Sequence, residues 1–171
     1  SWEEVKSEMK SDNNRPLTMS EIYDSYCRGD ITYEDFEEIK NKVCSLNLMD
    51  SVIFTGNKYN TYDYYNASDC FVLSSAWEGF GLVLVEAMAC ELEVISTDCG
   101  GTKEIIYNET DLVPVKNSEL LSKKMIEALL HTKKEKEIIG YKNRKCIEKF
   151  DLNIVANKWI SIYNKDLEGC K

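Results

Sequence analysis

Hydrophobic and polar positions alternate in two different rhythms along the chain. Up to about residue 36 the sequence is polar and acidic, and "KSDNNRP" interrupts it, because Pro16 disfavours helix at Arg15. "TMSEIYDSYCRGD" and "TYEDFEEIKNKVCSLN" then read as two helices, with caps near Ser20 and Thr32 and a capping-box-like Thr32–Asp35 pair. Gly29 lies between them, as expected at a helix end. Ile39, Val43 and Leu46 have the spacing of one helical face.

From residue 50 short apolar runs alternate with helix-like segments. "SVIFTG", "CFVLSS", "EVIST" and "DLVPV" read as four strands. "YDYYNASD", "GLVLVEAMAC" and "TKEIIYN" read as the helices between them. "SELLSKKMIEALLHT" and the segments up to "NKWISIYNKDLEG" read as C-terminal helices, with Trp159, Ile160, Ile162 and Tyr163 expected to pack the last one on the body. Such alternation predicts an α/β fold, a Rossmann-like parallel sheet with flanking helices, over residues 37–171. Residues 1–36 form a separate helical segment whose place is not assigned.

Composition narrows the function classes. The 171 residues suffice for one domain with a core. A net charge of −9 argues against nucleic acid, which calls for clustered Lys and Arg. The longest apolar run, LVLV, is far short of a membrane span. The opening at Ser1 reads as the start of an excised piece, with no leader to read. The seven cysteines include no C-x-x-C and read as small reduced core residues of a cytoplasmic protein. The single histidine, His131, reads as a surface residue at a helix end, and no zinc-ligand spacing accompanies it.

The candidate chemistry lies in "SSAWEGFGLVLVEAMA", residues 74–89. In open α/β sheets ligands bind at the carboxyl ends of the strands. Here a glycine turn follows a strand and opens a helix, whose free N–H groups and dipole favour phosphate. No G-x-x-x-x-G-K-[ST] or G-x-G-x-x-G is present. Glu86 sits in a helix apolar all round, which predicts burial, and a buried carboxylate needs donors. Helical side chains lean toward the N-terminus, so Glu86 can point back toward Glu78. Phosphate has no donors to offer a carboxylate, whereas hydroxyls do. A ligand with both, a nucleoside diphosphate sugar, meets both needs. Two plainer readings stay open: Glu78 complements the helix dipole, and Glu86 pairs with a Lys of another helix. Tyr59, Tyr62, Tyr64, Tyr65 and Trp77 read as helix packing, with a sugar platform as the alternative.

"SSAWEGFGLVLVEAMACELEVISTDCGGTKEII" resembles the C-terminal half of retaining glycosyltransferases of the GT-B fold, glycosyltransferase family 4 above all. The parts are E-G-F-G-L, a second Glu eight positions on, A-M-A, and then D-x-G-G-x-x-E-I. The resemblance covers about residues 40–130. It implies that Glu78 lies against the donor sugar as the catalytic residue. Amides of Gly79, Phe80, Gly81 and Leu82 would face the sugar and diphosphate, and Glu86 would hold ribose. Gly56, Lys58 and neighbouring Asn57 would lie near the base, and Gly100 and Gly101 near the site. The partners implied are a nucleotide sugar and a glycan or glycolipid acceptor, without metal or other cofactor, at the cytoplasmic face of a membrane. Two departures stand out. Glu91 and Glu93 replace the Gly and Pro usual after A-M-A-x, and the G-R strand, a following Lys and a second strand that open such domains are not found. The acceptor-binding N-terminal domain is likewise missing, to be supplied by that domain or a partner chain, so the chain by itself is expected to be inactive. A non-catalytic nucleotide-sugar-binding or partner module, and an epimerase or phosphorylase on the same architecture, remain the alternatives.

Overall fold

The computed structural model describes residues 33–55, 58–106, 108 and 111–169. The expected helix around Ser20, the Thr32 cap, Gly56 and Asn57 lie outside the described residues. The chain divides into two compact units, Ser1–Asp63 and Tyr64–Lys171.

In the first unit, α1 (Tyr33–Ser45) carries Glu34 and Asp35 in its first turn and Lys42 in its last, which complements the helix dipole. Phe36 of α1 packs edge-on against Phe54, with ring centroids 5.5 Å apart. Val43 is half-buried, but Ile39 and Leu46 are exposed, so the expected apolar face is only partly used. The expected first strand is not one. Ser51–Thr55 joins no ladder, and the sheet has three strands among the described residues instead of four. A strand exists only through a ladder of hydrogen bonds to a neighbouring strand, and among the described residues this segment is not part of one.

The second unit is the α/β body. After α2 (Thr61–Ala67), which begins in the first unit, come β1 (Cys70–Leu73), α3 (Leu82–Ala89), β2 (Glu93–Asp98), α4 (Thr102–Ile105) and β3 (Leu112–Pro114). Then follow α5 (Ser118–Leu130), α6 (Lys133–Ile147), a 3-10 turn at Glu148–Phe150, and α7 (Leu152–Gly169). The strands are parallel in the order β1-β2-β3, with Cys70 opposite Glu93 and Ser96 opposite Leu112.

Successive residues of a strand face opposite ways, and β2 uses both faces. Val94 joins Tyr65, Leu84, Ala87, Met88, Leu92, Ile105 and Ile106 on the α3 side. Ile95 joins Val113 and Ala128 on the α5 side. Full burial of Leu84 and Met88 contributes about 1.5–3 kcal/mol each. By contrast all four residues of β1 are only half-buried. Their unbroken apolar run suits an inner strand of a parallel sheet, yet among the described residues β1 pairs on one side only. The last helix also departs from expectation. Trp159, Ile160, Ile162 and Tyr163 are exposed, and Trp159 stacks on Tyr163 instead of on the body.

The α3–β2 turn carries Glu91 and Glu93. Glu91 adopts the left-handed region with φ 59°, which a glycine would occupy without steric penalty. Helix α6 clamps the turn: Asn143 Nδ2 donates to the Leu92 carbonyl at 2.8 Å, and Arg144 Nη1 donates to the Ala89 carbonyl. The backbones approach so closely that a Cβ on Gly140 would lie 1.9 Å from the Glu91 carbonyl oxygen.

Glu93 also has a partner. His131, the C-cap of α5, is half-buried, with Nδ1 3.0 Å from Glu93 Oε2, so it is more than a surface residue. The cysteines divide: Cys99 is buried, Cys70, Cys90 and Cys146 are half-buried, and Cys44, against expectation, is exposed. Burial pushes the Cys70 thiol up to about 12, which keeps it protonated.

Two outcomes follow from these contacts. On helix propensity alone Gly140→Ala would stabilise by about 1 kcal/mol. Overpacking against the Glu91 carbonyl outweighs this, so urea unfolding should show a net loss of about 2 kcal/mol. The hydrogen bond that His131 donates to Glu93 raises its pKa above the ordinary 6.5; burial opposes this, and the Glu93 and Glu135 charges add to the rise. A raised histidine contributes most below the unfolded value and loses that contribution as pH climbs through the folded one. The urea midpoint should therefore fall as pH rises above about 6.5, and Glu93→Gln should flatten that decline.

Candidate functional site

Three parallel strands present their carboxyl ends at one edge of the sheet, and the segments leaving β1 and β2 meet there. Residues 74–81 leave β1 and lead into α3. Gly81 caps α3 with φ 85° and ψ 53°, a left-handed conformation that a side chain would strain. No side chain caps this helix, so its first amides stay available to an acceptor.

The turn at 78–80 is held from behind by the β2–α4 loop. The Gly101 amide donates to the Glu78 carbonyl at 3.3 Å. Cβ atoms on Gly100 and Gly101 would fall 1.7 Å from the Glu78 oxygen and 2.4 Å from the Gly79 oxygen. The requirement for glycine here is therefore backbone packed on backbone. Buried hydroxyls complete the join. Thr97 Oγ1 donates to the Ser75 carbonyl, while Thr102 Oγ1 accepts from the Cys99 amide at 3.2 Å and lies 3.1 Å from the Thr97 carbonyl. Phe80 turns its half-buried ring inward, edge-on to Phe150 at 5.0 Å. Of this residue only the backbone is left to meet a ligand.

Both carboxylates are present at this edge, each on one neutral hydroxyl. Ser75 Oγ donates to Glu78 Oε1 at 2.7 Å, and Tyr65 Oη donates to Glu86 Oε2 at 3.0 Å. Among the described residues neither carboxylate forms an ion pair; Lys103, nearby in sequence, pairs with Asp98 at 3.0 Å. The plainer reading of Glu86, a lysine partner from another helix, is thus not what the structure has. The expected burial is corrected as well. Leu84, Ala87 and Met88 face the core, whereas Leu82, Val83 and Glu86 form an exposed stripe of α3. The sequence shows an apolar helix, but two of its apolar residues face outward beside the carboxylate.

Glu78, Gly79, Phe80, Gly81, Leu82, Glu86, Gly100 and Gly101 therefore belong to one unit and one edge. Lys58 lies in the other unit, half-buried. Of the five aromatic residues only Tyr65 is buried, as helix packing predicts; Tyr64 is half-buried, and Tyr59, Tyr62 and Trp77 are exposed, against that expectation. Ser75 and Tyr65 were not singled out as site residues by the sequence. The order hydroxyl, two residues, Glu at 75–78 is a local signal, whereas nothing local links Tyr65 to Glu86, 21 positions on.

Residues 29–145 match the family described as Glycosyl transferases group 1. The chain is 42% identical over 79 residues to the lipopolysaccharide core biosynthesis mannosyltransferase LpsB of Rhizobium meliloti, covering 44% of this chain and 22% of that protein. It is 32% identical over 124 residues to the capsular polysaccharide biosynthesis glycosyltransferase CapM of Staphylococcus aureus, covering 70% of this chain and 33% of that one. Among solved structures, sucrose-phosphate synthase from Thermosynechococcus elongatus superposes with a TM-score of 0.69 at 29% identity, over 80% of this chain and 35% of that one. The chain thus spans between about a fifth and a third of the length of the curated relatives it matches. With its parallel sheet, flanking helices and glycine turn, it belongs to the group 1 glycosyl transferases and carries part of the Rossmann-like C-terminal half of the GT-B fold.

Proposed function

We propose that this chain is the donor-binding part of a retaining glycosyltransferase, which moves a sugar from a nucleoside diphosphate to a hydroxyl of a glycan or glycolipid. One observation carries the reading: two carboxylates stand at the sheet's carboxyl edge, each held by a neutral hydroxyl, beside an uncapped helix start. Cations there would have suited a structural ion pair. Neutral donors leave both charges intact for a ligand that brings hydroxyls.

In this reading the amides of Gly79, Phe80, Gly81 and Leu82, with the α3 dipole, take the diphosphate. Glu86 accepts from the ribose hydroxyls. Glu78 lies against the sugar and stabilises positive charge that develops at its ring. The bond from the anomeric carbon to the diphosphate oxygen breaks, and a bond to the acceptor oxygen forms on the same face. The acceptor proton passes to the departing phosphate oxygen. Gly100 and Gly101 act indirectly, by fixing the turn. Gly56 and Lys58 are assigned to the base side on the resemblance alone. No step calls on a metal.

The relatives' names supply the acceptor class, since they make capsular polysaccharide and lipopolysaccharide core. In this reading the reaction takes place at the cytoplasmic face of a membrane, which acceptors of this class favour. No helix among the described residues is long and apolar enough to cross one. Acceptor contacts and closure over the donor belong to an N-terminal domain, and the 171 residues alone are expected to give no turnover.

Titration with uridine, guanosine and adenosine diphosphates tests the reading. At least one should bind, and Glu86→Ala should weaken it about ten- to a hundredfold, the worth of hydrogen bonds to a charged group. Binding of none, or binding indifferent to Glu86→Ala, would contradict the assignment. In the longer polypeptide, a product of inverted anomeric configuration would contradict retention.

A further inference from the structure

Glu86 stands on the exposed stripe of α3, where a glutamate ordinarily samples many rotamers. Tyr65 removes that freedom. Its ring is 8% exposed and belongs to the same core cluster as Leu84, Ala87 and Met88 of α3. Phe71 of β1 meets it edge-on, with centroids 5.6 Å apart and planes at 76°. The phenol oxygen is thereby fixed by packing, and it donates to Glu86 Oε2 at 3.0 Å. Among the described residues Glu86 Oε1 has no hydrogen-bond partner.

We propose that Tyr65 is the positioning residue of Glu86: the buried phenol engages one carboxylate oxygen and directs the other, still fully charged, toward the ribose hydroxyls of a nucleoside diphosphate. The proposal rests on the reading of Glu86 as the ribose-binding group. A lysine in place of Tyr65 would hold the carboxylate equally well but would offset its charge. A phenylalanine would fill the same core space and leave Glu86 free to rotate. Tyrosine provides the hold without the neutralisation. The residue also couples the site to the fold, because it enters from α2 and packs on β1 and α3 together.

The plainer account is that the hydroxyl merely finds the nearest acceptor. Ribose discrimination separates the two. Dissociation constants of the full chain are measured for uridine, guanosine and adenosine diphosphates and for their 2′-deoxy counterparts. The wild-type chain should prefer the ribose form by about tenfold or more for any base it binds. Tyr65→Phe should reduce that preference to about twofold while leaving affinity for the deoxy form unchanged. Equal weakening of both forms, or an unaltered preference, would overturn the positioning role and leave the ribose reading of Glu86 standing. A wild-type chain that shows no preference would instead overturn that reading, and this inference with it. Should Tyr65→Phe fail to fold, site-specific 4-fluorophenylalanine at position 65 keeps the ring and fills the space of the hydroxyl without a donor, and it should reduce the ribose preference likewise. A preference equal to that of the wild-type chain would contradict the proposal.

Discussion

Two glycines carry the rest of the structure. The backbone of Gly100 and Gly101 lies directly on the carbonyls of Glu78 and Gly79, closer than any side chain would allow. This contact joins the segment after β1 to the segment after β2. It sets where the 78–80 turn sits, and so where α3 begins. The α3 amides, Glu78 and Glu86 take their positions from that junction. The glycine pair thus fixes the place of the turn and of the helix start.

The surroundings of the junction are built to the same end. Thr97 and Thr102 satisfy buried carbonyls and amides that the irregular backbone leaves unpaired. β2, buried on both faces, anchors the loop that bears the glycines. Behind it, α6 clamps the α3–β2 turn through Gly140, Asn143 and Arg144, which fixes the other end of α3. A helix of eight residues is therefore held at both ends. Glu86 on this helix and Glu78 in the turn before it are each steadied by a hydroxyl that takes none of their charge. Electrostatics would otherwise drive exposed glutamates toward lysines, and the chain has many. Among the described residues neither Glu78 nor Glu86 forms an ion pair, although Lys103 pairs with Asp98 at the end of β2.

Much of this was legible in the sequence, because the local signals were strong. Three of the four strands and the helices between them fall where the apolar rhythm and the glycines put them, and the candidate residues from Glu78 to Gly101 lie on the turn after β1, on α3 and on the loop after β2. What was not legible depended on distant neighbours. "SVIFTG" reads as a strand, yet Ser51–Thr55 is not in the sheet of the described residues, and Phe54 packs on Phe36. Leu82 and Val83 predict burial for the helix around Glu86, yet both face outward with it, since only the Leu84–Ala87–Met88 stripe meets the sheet. Glu91 shows that a turn which favours glycine can tolerate a side chain when α6 holds its carbonyls. Tyr65 looked like one aromatic residue among five, because nothing in its neighbourhood reveals that it reaches Glu86.

Gly101→Ala tests the central contact most directly. Gly101 has φ −79°, a conformation any residue adopts, so the substitution adds a Cβ 2.4 Å from the Gly79 oxygen without backbone strain of its own. Amide hydrogen exchange over residues 78–84 reports whether the turn and the first turn of α3 stay in place. The account predicts much faster exchange there, with β2 still protected. Exchange in that segment unchanged from the wild-type chain would contradict it.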